Sequence, residues 1–229
     1  MMNGMWKAIF PAIVMLVATA GYVQSETTAL AAAPASKNLT QVLDRLQRHY
    51  RDTDSFSAKF SEEIATVGAP KRKRQGTVSF RKPGRMRWEF EAPEVQTLVS
   101  DGQTLYSYDP DLNQVVETPL KQALKSSSAT SFLLGLGNIK RDFKAAFASP
   151  AKPGGLIDLM LDPKAGGYKI EVGIDPKTYN LITLTLTDQL GDTTRIDFSD
   201  VRDNVDMPDS IFAFRVPAGA DVVAAPASP

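Results

Sequence analysis

The side chains that usually do chemistry are scarce in this sequence, and their spacing gives them no reaction. One histidine, His49, stands among 229 residues, and there is no cysteine. A nucleophile needs a base beside it, yet no Gly-x-Ser-x-Gly elbow presents a serine to that imidazole. Without thiols or a second imidazole, zinc and copper lack a ligand set. Asp109 and Asp111 flank Pro110, and Asp200, Asp203 and Asp206 form a cluster. Neither group has the alternating oxygen ligands closed by a Glu that a calcium loop requires, so both read as turn-formers. Gly135-Leu136-Gly137 is too short for a dinucleotide loop, and no Gly-Lys-Thr/Ser phosphate cradle exists. The sequence calls for no cofactor, no metal and no enzymatic activity.

What remains is charge and apolar surface. Lys+Arg and Asp+Glu each number 26, so the chain lacks the basic footprint of a nucleic-acid binder. The charge is nevertheless uneven. Between Ile64 and Trp88 there is no acid, whereas Lys71, Arg72, Lys73, Arg74, Arg81, Lys82, Arg85 and Arg87 are all basic. Such a run can meet anionic head groups or an acidic partner surface, or it can be a solvated hairpin that blunts an edge strand. The apolar set expected to face inward is Phe60, Phe80, Met86, Trp88, Phe90, Leu98, Tyr106 and Tyr108. These side chains would fill an ordinary core. They would instead line a dry cavity for acyl chains if the sheet beneath them curves around too little to fill itself.

The elements that must position them follow from periodicity. Residues 39–51 place Leu39, Val42, Leu43, Leu46 and Tyr50 on one helical stripe, with Asn38 or Thr40 as cap. Residues 56–67 alternate as a first strand. Val78 and Phe80, then Met86, Trp88 and Phe90, alternate with polar residues around the Lys82-Pro83-Gly84 turn. Asp101-Gly102 is expected to supply both φ > 0 positions of a type I′ turn joining residues 95–100 to 103–108. Residues 119–125 predict a short helix with Pro at its first position. The apolar run containing Phe132, Leu133 and Leu134 must pack onto something and predicts a plug or lid. Strands are expected at 156–161, 167–174, 181–187, 193–198 and 211–216, the last closing the sheet. About ten strands with a leading helix predict a mainly β (α+β) domain. Its expected form is an unclosed antiparallel β-barrel or strongly curved sheet with an α-helical lid on the concave side.

Residues 1–35 read as a cleaved secretory signal. Lys7 precedes an apolar run from Ala8 to Ala20, which is shorter than the ~20 residues of a spanning helix. Removing them takes away Lys7 and Glu26, so each charge total falls from 26 to 25. Residues 36–223 are expected to form one domain and 224–229 a loose tail. With no disulfide, the core alone must hold this exported domain.

The pieces Arg81-Lys82-Pro83-Gly84-Arg85 through Trp88, Ser100-Asp101-Gly102, Phe132-Leu133-Leu134, Leu161-Asp162-Pro163-Lys164, Phe198-Ser199-Asp200-Val201 and Ile211-Phe212-Ala213-Phe214 stand in an order and spacing of their own. Together they resemble the LolA-type periplasmic lipoprotein carriers. The resemblance implies a monomeric periplasmic chaperone whose cavity holds the acyl chains of lipoproteins. It would load from an inner-membrane LolCDE-type ABC exporter and unload to an outer-membrane LolB-type receptor. Such receptors share the fold but carry a lipobox Cys, which is absent here. Family members often have an Arg before the motif Pro that latches the lid to backbone carbonyls. Here that position is Lys82, with Arg81 expected on the opposite face. An envelope-stress sensor and a general lipid or glycolipid module are alternatives on the same fold. Lys71, Arg72, Lys73, Arg74 and Arg85 are the expected docking patch.

Overall fold

The computed structural model describes residues 38–125, 138–148, 155–164 and 166–225. The chain begins there with helix α1, Leu39–Asp52, whose Val42, Leu43, Leu46 and Tyr50 form a buried stripe. Asn38 caps it, its side-chain oxygen accepting from the Thr40 N–H at 2.9 Å. The helix stops at Thr53, whose hydroxyl and N–H both donate to the His49 carbonyl.

Twelve strands follow among the described residues: β1 Ser55–Ala65, β2 Arg72–Arg81, β3 Arg85–Phe90, β4 Gln96–Asp101, β5 Thr104–Asp109, β6 Gln114–Pro119, β7 Phe143–Phe147, β8 Ile157–Pro163, β9 Lys169–Ile174, β10 Leu181–Thr187, β11 Thr193–Asp203 and β12 Asp221–Ala224. They form one sheet in the order β12-β6-β5-β4-β3-β2-β1-β11-β10-β9-β8-β7. The two edge strands do not pair, so the sheet is unclosed, as the alternation predicts. Helices α2, Leu120–Lys125, and α3, Ile139–Asp142, punctuate it. Neighbours are antiparallel except β12, which lies parallel to β6.

The period of two divides the sheet into faces. Phe56, Ala58, Phe60, Val78, Phe80, Met86, Phe90, Leu159, Val172, Leu184, Ile196 and Phe198 share one buried cluster with the α1 stripe, Leu120 of α2 and Ile139 of α3. This is the inner face. A second, smaller apolar layer lies on the outer face, where Val99 and Val115 are fully buried.

Three expectations are corrected. The segment 211–216 is not a strand. It begins as a 3-10 helix, Asp209–Phe212, and runs as a strap over the outer face. Arginine side chains claim its carbonyls: Arg87 Nη1 donates to Ile211 O at 3.1 Å, and Arg81 Nη1 donates to Met207 O. The last ladder is made instead by β12, which includes Ala224, a residue expected in the tail. At the β4–β5 turn only Gly102 has φ > 0, at 102°. Asp101 acts through its carboxylate, accepting from the N–H groups of Gln103 and Thr104 at 2.8 and 2.9 Å.

Phe80 is 2% exposed and stacks on Phe56 with ring centroids 4.7 Å apart. Phe80→Ala should lower the unfolding free energy by ~3–5 kcal/mol, measured from urea transitions at constant slope.

Candidate functional site

The inner face of β1–β3 and β11 is a connected set of rings. Phe60 meets Trp88 edge-on at 4.8 Å and Phe90 at 5.1 Å, while Trp88 lies 6.0 Å from Phe80 and 6.3 Å from Phe198. The cross-strand registers Phe60↔Phe198, Phe60↔Gly76 and Gly76↔Phe90 set this arrangement. Gly76 is required there, because a Cβ would stand 1.8 Å from the Glu89 carbonyl oxygen and 3.1 Å from the Phe60 ring. Of the expected set, Phe60, Phe80, Met86 and Phe90 are buried, and Trp88 and Leu98 are half-buried against the same cluster. Leu105 joins them. Phe56 and Phe198 belong to the cluster but were not among the expected residues, although the alternation in their strands carried the signal.

Tyr106 and Tyr108 do not belong to it. Leu98 pairs with Ser107 and Val99 with Tyr106, so both tyrosines point to the outer face. There Tyr106 stacks on Phe214 of the strap at 5.1 Å, and Tyr108 lies 6.4 Å from the same ring. They bury Val99 and Val115 rather than line a cavity. Phe132, Leu133 and Leu134 lie outside the described residues.

The latch geometry is direct. The Lys82 ammonium donates to the Arg51 carbonyl at 2.9 Å and also to the Tyr50 carbonyl. Both carbonyls belong to the last turn of α1, where no helical partner exists for them and the helix dipole favours a cation. Burial holds the Lys82 ammonium below its ordinary pKa, partly offset by Asp54 and Asp52. Arg81 points to the outer face, as expected. It reaches Met207 O and Asp209 and lies 5.1 Å over the Phe212 ring, so it fastens the strap and not the helix. Beneath the latch, the buried Tyr50 hydroxyl accepts from the Leu181 N–H at 3.0 Å, and burial raises its pKa. His49 Nε2 is 3.8 Å from Asp203 Oδ2, too far for a hydrogen bond. Burial pushes the imidazole pKa below 6.5, which Asp203 and Asn180 only partly offset and Lys82 reinforces.

The acid-free run is not a free positive field. Each of its arginines and lysines finds an oxygen: Lys71 and Lys73 meet Glu63 on β1, Arg72 meets Glu94, Arg85 meets Asp209 of the strap and Arg87 meets Glu89 on its own strand. Lys71, Arg72 and Lys73 remain exposed, and such surface pairs hold weakly. Arg74 is different. It turns onto the inner face and pairs with the buried Glu62 at 2.6 Å.

Open grooves lie along the sheet. One of about 540 Å³ runs beside Lys59, Ser61, Gln75, Thr77, Asp197 and Ser199 and reaches Phe60, Gly76 and Phe198, and one of about 420 Å³ lies beside Arg87, Thr97, Tyr108 and Phe214. The second is lined from the outer face and the first from both faces, while the inner rings Phe60, Phe80, Phe90 and Phe198 are themselves buried.

Residues 51–215 match the family model described as outer membrane lipoprotein carrier protein LolA. The chain belongs to the LolA family. It is 36% identical over 200 residues to an outer-membrane lipoprotein carrier protein of Cupriavidus pinatubonensis, covering 85% of this chain and 93% of that one. A carrier of the same description from Chromobacterium violaceum is 34% identical over 196 residues, with the same coverages. An uncharacterized conserved protein from Thermus thermophilus superposes with a TM-score of 0.52 at 14% identity, covering 81% of this chain and 98% of that one. That likeness concerns the fold alone. In this LolA-family chain the latch position is a lysine whose contacts are both to carbonyls of α1.

Two outcomes follow from this geometry. Lys82→Met should speed amide hydrogen exchange across the last turns of α1, reflecting ~1–3 kcal/mol of lost local stability, while Lys82→Arg should keep the protection. For His49, the unfolded chain takes up a proton first as pH falls through 6.5. Its contribution is therefore present above that value and lost below it. Comparing urea midpoints at about pH 7.5 and about pH 5, His49→Gln should lose less stability than wild type.

Proposed function

We propose that this protein is a periplasmic carrier that shields the acyl chains of lipoproteins on its inner face. The observation that carries this reading is the connected ring surface of Phe60, Phe80, Trp88, Phe90 and Phe198. It is covered by α1, whose last carbonyls Lys82 holds and whose flank is tied by Tyr50 to Leu181, by Gln47 to Ile139 and by Asp44 to Lys140. Relatives described as outer-membrane lipoprotein carriers, matched over nearly their whole length, support the same reading.

The mechanism needs no bond chemistry. The leader at residues 1–35 would direct export, and the mature domain would meet an inner-membrane ABC exporter through the exposed Lys71, Arg72 and Lys73. Loading would release Lys82 from the carbonyls of α1, swing helical cover away, and let chains replace side chains against the rings. Each CH₂ shielded from water favours the complex by ~0.8 kcal/mol. Closure of α1 over the emptied face works against retention, so the same helix that must open for loading drives unloading to an outer-membrane receptor. The segment containing Phe132, Leu133 and Leu134 would complete the cover.

Incubating the mature protein with spheroplasts that retain newly made outer-membrane lipoproteins should release a soluble one-to-one complex. Trp88→Glu should abolish release without unfolding the domain, because Trp88 is only half-buried. Absence of release by the wild type would overturn the carrier reading.

A further inference from the structure

The inner face is mostly apolar but carries one linked row of polar side chains. Glu62 on β1, Arg74 on β2, Gln96 on β4 and Ser107 on β5 all point inward by register. They are linked hand to hand: Arg74 Nε donates to Glu62 Oε2 at 2.7 Å, Arg74 Nη1 to Gln96 Oε1 at 3.3 Å, and Gln96 Nε2 to Ser107 Oγ at 3.2 Å. Between them Phe90 carries the Arg74 guanidinium 4.2 Å above its ring. The row therefore borders the ring surface directly.

Its place along the strands is informative. The ladder of β1 and β2 runs from Ser55↔Arg81, beside Lys82, to Glu62↔Arg74. At ~3.3 Å per residue, the polar row lies roughly 23 Å from the latch. The rings fill the interval, with the latch at one end and the row at the other.

Stability does not account for the row. Glu62 is 6% exposed, and a buried ion pair is commonly matched or bettered by apolar residues of similar volume. Its chemistry suits a ligand that is apolar for most of its length and polar at one end. A guanidinium carries more N–H groups than the contacts above use, and the Gln96 amide and Ser107 hydroxyl can donate as well. Ester and amide carbonyls are acceptors that lose water when acyl chains are buried, and they need donors at that depth.

We propose that the Glu62–Arg74–Gln96–Ser107 row is a subsite for the ester and amide carbonyls that join a cargo's acyl chains to its peptide. The row would fix how deeply the chains sit on the rings and distinguish acylated peptide from bare hydrocarbon. This rests on the carrier reading above and adds the part of the cargo that it leaves unassigned.

The test uses the mature protein, a synthetic triacylated cysteine lipopeptide, and an apolar naphthylamine dye without ester or amide groups. The double variant Glu62→Met/Arg74→Met removes both charges together and keeps the volume. It should bind the lipopeptide roughly tenfold more weakly, while its dye affinity stays at the wild-type value. The pair Gln96→Leu/Ser107→Ala should weaken lipopeptide binding in the same direction, and it decides the matter if the charged pair proves necessary for folding. Folded variants that bind the lipopeptide as tightly as wild type would overturn the subsite and leave the carrier reading standing. A wild type that binds the dye but not the lipopeptide would overturn both.

Discussion

The last turn of α1 ends in carbonyls that no helical N–H can satisfy, and one ammonium answers two of them. Lys82 sits in the loop between β2 and β3, so its bonds to Tyr50 O and Arg51 O tie the first helix to the middle of the sheet. The favourable end of the helix dipole and the partial burial of the amine strengthen those bonds. The geometry stays simple because a lysine makes point contacts without the planar fork of an arginine. It is one of several ties on α1: the Tyr50 hydroxyl also accepts from the Leu181 N–H, and Gln47 accepts from the Ile139 N–H. With α1 down, Val42, Leu43, Leu46 and Tyr50 cover the sheet and the rings form an ordinary core. In the carrier reading proposed above, α1 lifts and the same rings become a surface that water penalises and acyl chains relieve. On that reading a single face serves as core or as binding site, and release of Lys82 selects which.

The outer face carries a second layer that does not involve α1. The strap, residues 207–214, lies on β3–β5, fastened by Arg81 and Arg87 to its carbonyls and by Tyr106 and Tyr108 to Phe214. Val99 and Val115 are 0% exposed beneath it. These strands are therefore stabilised on their outer face independently of α1, which suits the carrier reading proposed above. Arg81 and Lys82 are adjacent in sequence yet serve opposite faces: one fastens the strap and the other the end of α1.

Much of this was legible in the residues. The stripe of α1 and the alternation of β2, β3 and β10 state their faces plainly, and Leu181–Thr187 matched its expected limits. The expectation that Lys82 meets backbone carbonyls came from the family resemblance, and its contacts to Tyr50 O and Arg51 O are where that resemblance puts them. Tyr106 and Tyr108 were misplaced because ring size suggested core. A two-residue turn pairs even positions with odd ones, so Leu98 had to share its face with Leu105 or Ser107. The strap was misread because residues 211–214 alternate like a strand, and only the fold shows that arginines take its carbonyls. The acid-free stretch concealed its partners for a related reason. Glu62, Glu63, Glu89 and Glu94 lie outside it in sequence or at its border, but beside it in the fold.

The most direct test of this account is the distance between α1 and the sheet. The natural chain has no cysteine, so cysteines placed at Arg48 on α1 and Thr77 on the outer side of β2 can be spin-labelled uniquely. Pulsed dipolar spectroscopy should give one short distance for the free protein. Saturation with triacylated lipopeptide should produce a longer distance, and Lys82→Met should populate that longer distance without ligand. An unchanged distance with lipopeptide demonstrably bound would contradict the account, because acyl chains would then be held without uncovering the inner face.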